Sequence, residues 1–171
     1  MLQPAILYKE ELSKAFNQHL YSDKYLWYTG SIENYEHEIK EESDKFQYAI
    51  VESGQILGYF SFRVDWYCSC IFNFSLVRFL DSYFDNLSQG YKNSQAVMFQ
   101  AIREMIKIIK SFDMHRIDFR CVSGNPAENG YDGIIKRFQN DYDIRKVEFR
   151  DNIKDTHGDY HDTIMYELIK K

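Results

Sequence analysis

The segment from residue 91 to residue 129 constrains the fold most, because an amphipathic helix there runs directly into a short strand and a turn. Apolar side chains recur at steps of four and three residues, at Met98, Ile102, Met105, Ile109 and Phe112. This spacing predicts a helix with one face packed on a sheet. Residues 116–122 then alternate apolar and polar, as a strand does, and the Ser-Gly-Asn-Pro sequence of residues 123–126 predicts a turn.

The start of that helix is a candidate binding site. The residues before it form a polar, amide-rich stretch, and the first main-chain N–H groups of any helix have no partner inside the helix. Such groups bind phosphate well. A strand–helix–strand unit of this kind can therefore hold a cofactor that carries phosphate.

Composition limits the classes of protein that the chain can belong to. With 171 residues it is most simply one domain, residues 1–171, large enough for a full sheet with helices on it. The net charge of −5 argues against non-specific nucleic-acid binding, which needs a basic surface. An acidic balance suits a cationic amine as a partner, although solubility alone explains it equally well.

Neither the N-terminal sequence nor the cysteines indicate export. The chain starts without a basic segment followed by a long apolar run, and it has no apolar stretch of about 18 residues, so we expect neither a signal peptide nor a membrane span. Its three cysteines, Cys68, Cys70 and Cys121, favour a reducing cytoplasm. Strand alternation places Cys68 and Cys70 on one face, where we expect buried thiols rather than a metal site.

Periodicity and turn residues predict an α+β fold. We expect helices at residues 9–20, from residue 31, in the segment described above and at 129–138, and strands at 46–52, 55–65, 66–79, 116–122, 144–150 and 162–169. Residues 21–30 form an aromatic-rich loop and residues 80–92 a second loop. This order predicts a mixed, mostly antiparallel sheet with helices on both faces. The third strand and the strand at 116–122 are joined by a crossover helix, so they should be parallel neighbours.

This order of elements resembles the GNAT superfamily of acyl-CoA-dependent N-acetyltransferases over nearly the whole chain. The segments that carry the resemblance are residues 46–60, with the turn Ser53-Gly54 and a second glycine at Gly58, then residues 115–119, 147–151 and 159–168. The pattern is most similar to the subgroup that acetylates ribosomal-protein N-termini, polyamines and related amines. The resemblance implies a GNAT-like sheet, acetyl-CoA as cosubstrate, and transfer of its acetyl group to a primary amine by direct attack.

The resemblance places the pyrophosphate of the cofactor at the head of the long helix. The family has an Arg/Gln-x-x-Gly-x-Gly/Ala signature there, and the matching window in this chain is residues 91–96. Both glycines are missing, and a glycine would let the main chain approach the phosphates closely. Ser94 and Ala96 are the matching small residues, Lys92 supplies a positive charge, and Ser94 could cap the helix. The alternative is that Asn93 and Ser94 are only a helix start.

The resemblance also assigns residues to the pantetheine arm and to the chemistry. Leu76, Val77 and Arg78 would hold the arm by main-chain pairing, which hardly depends on side-chain identity. Asn125 and Asn129 both match the family's asparagine on the far side of the arm. Tyr131 is the nearest tyrosine to the family's acid, which protonates the departing thiolate, but it is out of register and could equally be a surface residue.

No carboxylate stands at the family's usual position for a general base. Asn73 and Ser75 occupy the polar face of the third strand, and Glu52 and Asp65 at neighbouring strand ends are weak candidates. The leading hypothesis is an N-acetyltransferase for a small-molecule amine or a peptide N-terminus. A catalytically impaired binding or interaction module is the alternative, and so is an unrelated α+β protein, in which the third strand and the 116–122 strand would not splay apart. The aromatic content of 17% leaves a homodimer open.

Overall fold

A computed structural model describes residues 1–19, 38–79, 90–125, 128–154 and 158–171. The predicted helix from residue 31, the aromatic loop at 21–30 and most of the loop at 80–92 lie outside these residues. In the part described, no helix is long and apolar enough to cross a membrane. In chain order, the strands and helices are β1 (Leu2–Pro4), α1 (Lys9–His19), β2 (Lys45–Glu52), β3 (Gln55–Asp65), β4 (Cys70–Arg78), α2 (Gly90–Ser111), β5 (Arg116–Val122), α3 (Glu128–Ile135), β6 (Tyr142–Lys154) and β7 (Tyr160–Lys170). A short 3₁₀ turn at Ala5–Tyr8 follows β1.

The strands form one seven-stranded sheet in the order β1-β2-β3-β4-β5-β7-β6. Every neighbouring pair is antiparallel except β4 and β5, which are parallel. The mostly antiparallel α+β fold is therefore confirmed, and so is the parallel pairing of the third predicted strand with the strand at Arg116–Val122. Strand β1 was not predicted, because its three residues carry no periodic pattern and are ordered by pairing with β2.

The third predicted strand starts later than its sequence indicates. Residues 66–69 form a turn, and β4 begins only at Cys70. Cys68 therefore lies exposed in the β3–β4 turn, whereas Cys70 and Cys121 are buried. The prediction that Cys68 is a buried strand residue was wrong. The main-chain N–H of Cys68 donates to Asp65 Oδ1 at 2.8 Å, a bond that closes the turn instead of extending the strands.

Helix α2 starts earlier than predicted. It begins at Gly90, so residues 91–96 lie in its first two turns and not in a preceding loop. Ser94 is inside the helix and not at its N-cap position, where the sequence suggested it. The predicted helix at 129–138 is shorter at its C-terminal end, since α3 stops at Ile135 and residues 136–141 form turns. Strands β6 and β7 are both longer than the predicted ranges of 144–150 and 162–169.

Apolar residues are buried on both faces of the sheet. On one face α2 and α3 pack through Met105, Ile109, Ile134 and Ile135 against a core cluster that includes Phe60. On the other face α1 contributes Leu12 and Phe16, and their cluster is completed by Ala5, Ile39, Ala49, Tyr59, Val77 and Phe79. Helices therefore cover both faces, as predicted.

Helix α2 runs antiparallel to β4. Near its start, Val97, Met98 and Ala101 pack in a cluster that contains Leu76, close to the C-terminal end of β4. At its end, the Phe112 ring lies 5.9 Å from the Trp66 ring, beside the β3–β4 turn. The N-terminus of α2 therefore lies near the C-terminal end of β4.

A β-bulge at Asn73 changes the direction of the β4 side chains. Arg63 pairs with Phe72 and Ser61 with Ser75, so one residue of β3 faces two of β4, and Asn73 has φ +54°. An extra residue in one strand shifts the alternation of its side chains by one position. As a result, Phe74 and Leu76 join Ile71 on the α2 face, and Val77 is buried against α1.

Gly58 allows β3 to lie close to the second half of β4. A Cβ atom added there would come within 2.4 Å of the Val77 carbonyl oxygen and 3.2 Å of Ile50 Cδ1. Main-chain atoms cannot give way as a flexible side chain can, so any larger residue must push the strands apart. Gly58 pairs with Arg78, which places this constraint at the C-terminal end of β4.

We expect two glycine substitutions to change stability in opposite directions. Gly58→Ala should lower the free energy of unfolding by about 1–3 kcal/mol, because the added methyl overpacks the β3–β4 pair. The matched control is Gly133→Ala in α3, where an added Cβ meets nothing within 4 Å. That change should raise the free energy of unfolding by about 0.5–1 kcal/mol, because alanine loses less backbone entropy in a helix.

Urea unfolding of the two variants and the native chain measures both effects. Equal stabilities for the native chain and Gly58→Ala would contradict the close approach of β3 and β4.

Candidate active site at the gap between β4 and β5

Strands β4 and β5 pair only at their first residues and then separate. The parallel register joins Cys70 with Arg116 and Ile71 with Ile117, whereas β4 continues to Arg78 and β5 to Val122. A V-shaped gap therefore opens in the middle of the sheet, closed at Ile71 and open toward the C-terminal ends of both strands. The alternative of an unrelated α+β protein predicts no such splay.

The main chain of β4 presents alternate residues to this gap. On the side facing β3, the Phe79 N–H donates to the Leu57 carbonyl at 2.9 Å, and the Val77 carbonyl points toward Gly58. Successive main-chain groups of a strand point to opposite sides, so those of Leu76 and Arg78 point toward the gap. Val77 differs from its two neighbours, because its main chain faces β3 and its side chain is buried against α1.

An apolar cavity lies beside the gap, between the sheet and helices α2 and α3. The cavity has a volume of about 20 Å³. Its walls are apolar or aromatic side chains from β3, β4, β5, β7, both helices and the turn after α3. They are Phe60, Phe74, Leu76, Met105, Ile109, Ile117, Phe119, Tyr131, Ile134, Ile135, Phe138 and Leu168.

Tyr131 is brought to this cavity by α3. It is partly buried, and its ring centroid lies 5.4 Å from that of Phe119 on β5 and 6.4 Å from that of Tyr166 on β7. Leu76 lines the same cavity, so the structure brings together two residues that were predicted separately, for the acid and for the pantetheine contact. Tyr131 therefore packs with part of its ring against β5 and β7.

The two asparagines lie where β5 passes into α3. In the turn after β5, the Asn125 N–H donates to the Val122 carbonyl at 3.1 Å, and the Asn125 carbonyl accepts from the Glu128 N–H at 2.9 Å. Asn129 lies in the first turn of α3, two residues before Tyr131. Both residues are therefore on the β5 side of the gap, across from Leu76 and Arg78.

A polar network joins α3 to β6 and β7, and sequence reasoning missed it. The Tyr166 hydroxyl donates to Asp132 Oδ1 at 3.1 Å, and Lys146 Nζ lies 3.2 Å from Glu128 Oε1 and 3.5 Å from Asp132 Oδ1. Burial and then the hydrogen bond to Asp132 raise the pKa of Tyr166 to about 12, so this phenol stays protonated. Glu128 and Asp132 are four residues apart, so the sequence could have shown that both carboxylates lie on one face of α3. Their partners, Lys146 and Tyr166, are distant in sequence and could not be found in this way.

The two predicted carboxylates lie at opposite ends of the sheet. Glu52 is exposed at the end of β2, and it pairs with Gln55 at the same end as the open side of the gap. Asp65 pairs with Cys70 at the closed end, roughly 20 Å from Leu76 along the strand at about 3.3 Å per residue. The Cys68 N–H holds the pKa of Asp65 below its usual value. Asp65 therefore closes the β3–β4 turn beside the closed end of the gap.

The predicted phosphate contacts lie in the first turns of α2. Lys92, Asn93 and Ser94 are helical residues there, and Ala96 is exposed on the second turn. The start of α2 lies near the open end of the gap, so a ligand could contact both. No group of three or more His, Cys, Asp or Glu side chains that could hold a metal ion occurs among the described residues.

The fold is that of the GNAT acetyltransferases. A probable acetyltransferase of the GNAT family from Chromobacterium violaceum is 19% identical, covers 98% of this chain and 86% of its own, and superposes with a TM-score of 0.61. An N-acetyltransferase from Staphylococcus aureus is 15% identical, covers 74% of this chain and 68% of its own, and has a TM-score of 0.50. This chain spans 63% of the length of a third structure, a probable acetyltransferase, at a TM-score of 0.49. No protein-family model and no curated protein sequence matches the chain.

The turn that holds Asp65 can be tested with a thiol reagent. Burial raises the pKa of both Cys70 and Cys121 to about 11, so at pH 8 only the exposed Cys68 should react rapidly with Ellman's reagent in the folded protein. A hydrogen bond with the Asp65 carboxylate raises the pKa of Cys68. Asp65→Asn should lower that pKa and increase the rate of labelling.

The control for this experiment is Asp141→Asn, which removes a surface carboxylate paired with Lys110 and should leave the rate unchanged. Equal labelling rates for Asp65→Asn and the native protein would contradict the Asp65–Cys68 contact.

Proposed function

We propose that this protein is an N-acyltransferase that moves an acetyl group from acetyl-CoA to a primary amine by direct attack. The observation that carries the proposal is the separation of β4 from β5 after Ile71 and Ile117, which leaves a gap bordered by the main chain of β4. An extended ligand with amide groups can pair with such an edge as a further strand would. The pantetheine arm of coenzyme A has that chemistry.

The cofactor would bind with its phosphates at the start of α2 and its thioester inside the gap. The main-chain groups of Leu76 and Arg78 would pair with the arm, and Asn125 and Asn129 are the candidates for its other side. The first N–H groups of α2, together with Lys92, Asn93, Ser94 and Ala96, are the candidates for the pyrophosphate. Since α2 begins at Gly90, the N–H groups of its first turn are candidates for the phosphates, even though the glycines of the family signature are missing.

The reaction requires a neutral amine, stabilisation of the developing oxyanion and protonation of the thiolate. A main-chain N–H of β4 that faces the gap can donate to the thioester oxygen. Tyr131 is the candidate acid, because it lines the cavity next to Leu76. The candidate bases remain Glu52, at the end of the sheet where the gap is open, and Asp65, beside its closed end.

The acceptor is proposed as a primary amine on a small molecule or at a peptide N-terminus. The net charge of −5 favours a cationic amine in solution over nucleic acid as the partner. A cytoplasmic location is part of the same proposal, since the cytoplasm supplies acetyl-CoA.

Acetyl-CoA should stabilise the folded protein. At a ligand concentration 100 times the dissociation constant, binding adds about 2.7 kcal/mol to the free energy of unfolding, which raises the melting temperature by several degrees. Differential scanning fluorimetry with 1 mM acetyl-CoA (a concentration chosen at about the upper end of KM values) measures this shift. ADP, which has the pyrophosphate but no pantetheine arm, is the matched control and should shift the melting temperature much less.

Mass spectrometry of spermidine, lysine and a free-N-terminus peptide incubated with acetyl-CoA then tests transfer. An unchanged melting temperature with acetyl-CoA would contradict the proposal. Binding without acetylation of any amine would favour the alternative, a GNAT-fold binding module.

Tyr131→Phe tests the candidate acid. Loss of a general acid lowers kcat by about 10²-fold or more while substrate binding is retained, because the ring still fills its place against Phe119. Tyr160→Phe is the control, since Tyr160 is 60% exposed on β7 and does not line the cavity.

Steady-state kinetics over a pH series measure kcat and KM for both variants. An unchanged kcat in Tyr131→Phe would remove Tyr131 from the chemistry and leave the transferase proposal in place.

A further inference from the structure

The orientation of the proposed cofactor determines where its acyl group ends. The start of α2 lies near the C-terminal end of β4, where the gap is open, and the phosphates belong there. The pantetheine arm must then run along β4 from Arg78 toward Phe74, and its thioester points to the closed end of the gap at Ile71. This step rests on the proposed function.

The space beyond the thioester is the apolar cavity. Phe74 and Leu76 line it from β4, and Ile117, which pairs with Ile71 at the closed end of the gap, lines it from β5. Ile109 of α2 and Phe138 after α3 form its far wall, and both are buried. An apolar cavity with walls of this kind does not hold water well, but it does accept hydrocarbon.

We propose that the same site accepts acyl groups longer than acetyl and prefers CoA thioesters with a straight chain of three or four carbons, propionyl or butyryl. The carbons beyond the acetyl methyl would occupy this cavity. A cavity of about 20 Å³ has room for about one or two heavy atoms, which matches the one or two carbons that propionyl and butyryl have beyond acetyl. In the reaction the thioester C–S bond breaks and an amide C–N bond forms. The amine loses one proton, and the CoA thiolate takes up one proton.

Chain length should therefore affect both binding and turnover. Each methylene moved from water into an apolar site strengthens binding about fourfold, so butyryl-CoA should bind roughly fifteenfold more tightly than acetyl-CoA. A chain of eight carbons exceeds the cavity and should lose this gain.

Titration of the native protein with CoA, acetyl-CoA, propionyl-CoA, butyryl-CoA and octanoyl-CoA measures the binding order by calorimetry. The values of kcat/KM with one amine acceptor measure the order in turnover. We expect both to be highest with propionyl-CoA or butyryl-CoA. Equal or tighter binding of acetyl-CoA would overturn the inference.

Variants of the cavity wall test where the chain lies. Ile109→Phe should fill the cavity and restore preference for acetyl-CoA. Ile108→Phe is the matched control, because Ile108 precedes Ile109 in α2 and does not line the cavity. Phe138→Leu enlarges the cavity and should move the preference toward longer chains. If Ile109→Phe does not fold, Phe138→Leu still decides the result, and an unchanged chain-length order in Phe138→Leu overturns the inference.

The same titration separates this inference from the proposed function. If CoA and its thioesters bind with the same affinity whatever the chain length, the inference fails and the proposed function stands. If neither CoA nor any thioester binds, both fail. Binding that favours butyryl-CoA supports the inference even without transfer, because calorimetry does not depend on turnover.

Discussion

The rest of the site depends on the contact between Phe74 of β4 and Phe119 of β5, which bridges the two strands where they have separated. Their ring centroids are 5.5 Å apart with the planes at 66°, and Phe119 stacks on Tyr166 at 4.8 Å. Where main-chain pairing between β4 and β5 stops at Ile71, aromatic side chains thus take over the contact across the sheet. Edge-to-face and offset ring pairs contribute about 0.5–1.5 kcal/mol beyond their buried area, which helps to offset the pairing that is lost. Side-chain packing therefore stabilises the splay of the two strands.

The two walls of the gap are positioned in different ways. On the β4 side, the bulge at Asn73 turns Phe74 and Leu76 toward α2, and Gly58 lets β3 support the second half of the strand. On the β5 side, salt bridges and a buried phenol tie α3 to β6 and β7. Tyr131 is fixed over the gap by this second set, so its placement depends on residues that make no contact with the proposed cofactor.

Much of the fold followed from local pattern, and the site followed only in part. The helix face of Met105 and Ile109 and the alternation of residues 116–122 are properties of short segments, so they could be predicted. The bulge at Asn73 depends on which residues of β3 and β4 pair with each other, and the residues near Asn73 do not indicate that pairing. For this reason Leu76, Val77 and Arg78 could be named together, but which of them present their main chain to the gap could not be foreseen. The α2 start at Gly90 and the exposed turn at Cys68 were missed for a similar reason, since periodicity describes the middle of an element better than its ends.

The short parallel contact between β4 and β5 also bears on cooperativity. Strands β1 to β4 form one hydrogen-bonded unit and β5, β7 and β6 another, and two residue pairs join their main chains. The connection between the units therefore rests mainly on side-chain packing and on α2, which spans from Leu76 to the β3–β4 turn. Local opening in proteins follows such boundaries. A ligand that pairs with β4 inside the gap would act as a missing strand between the two units, and the sheet would then unfold as one body.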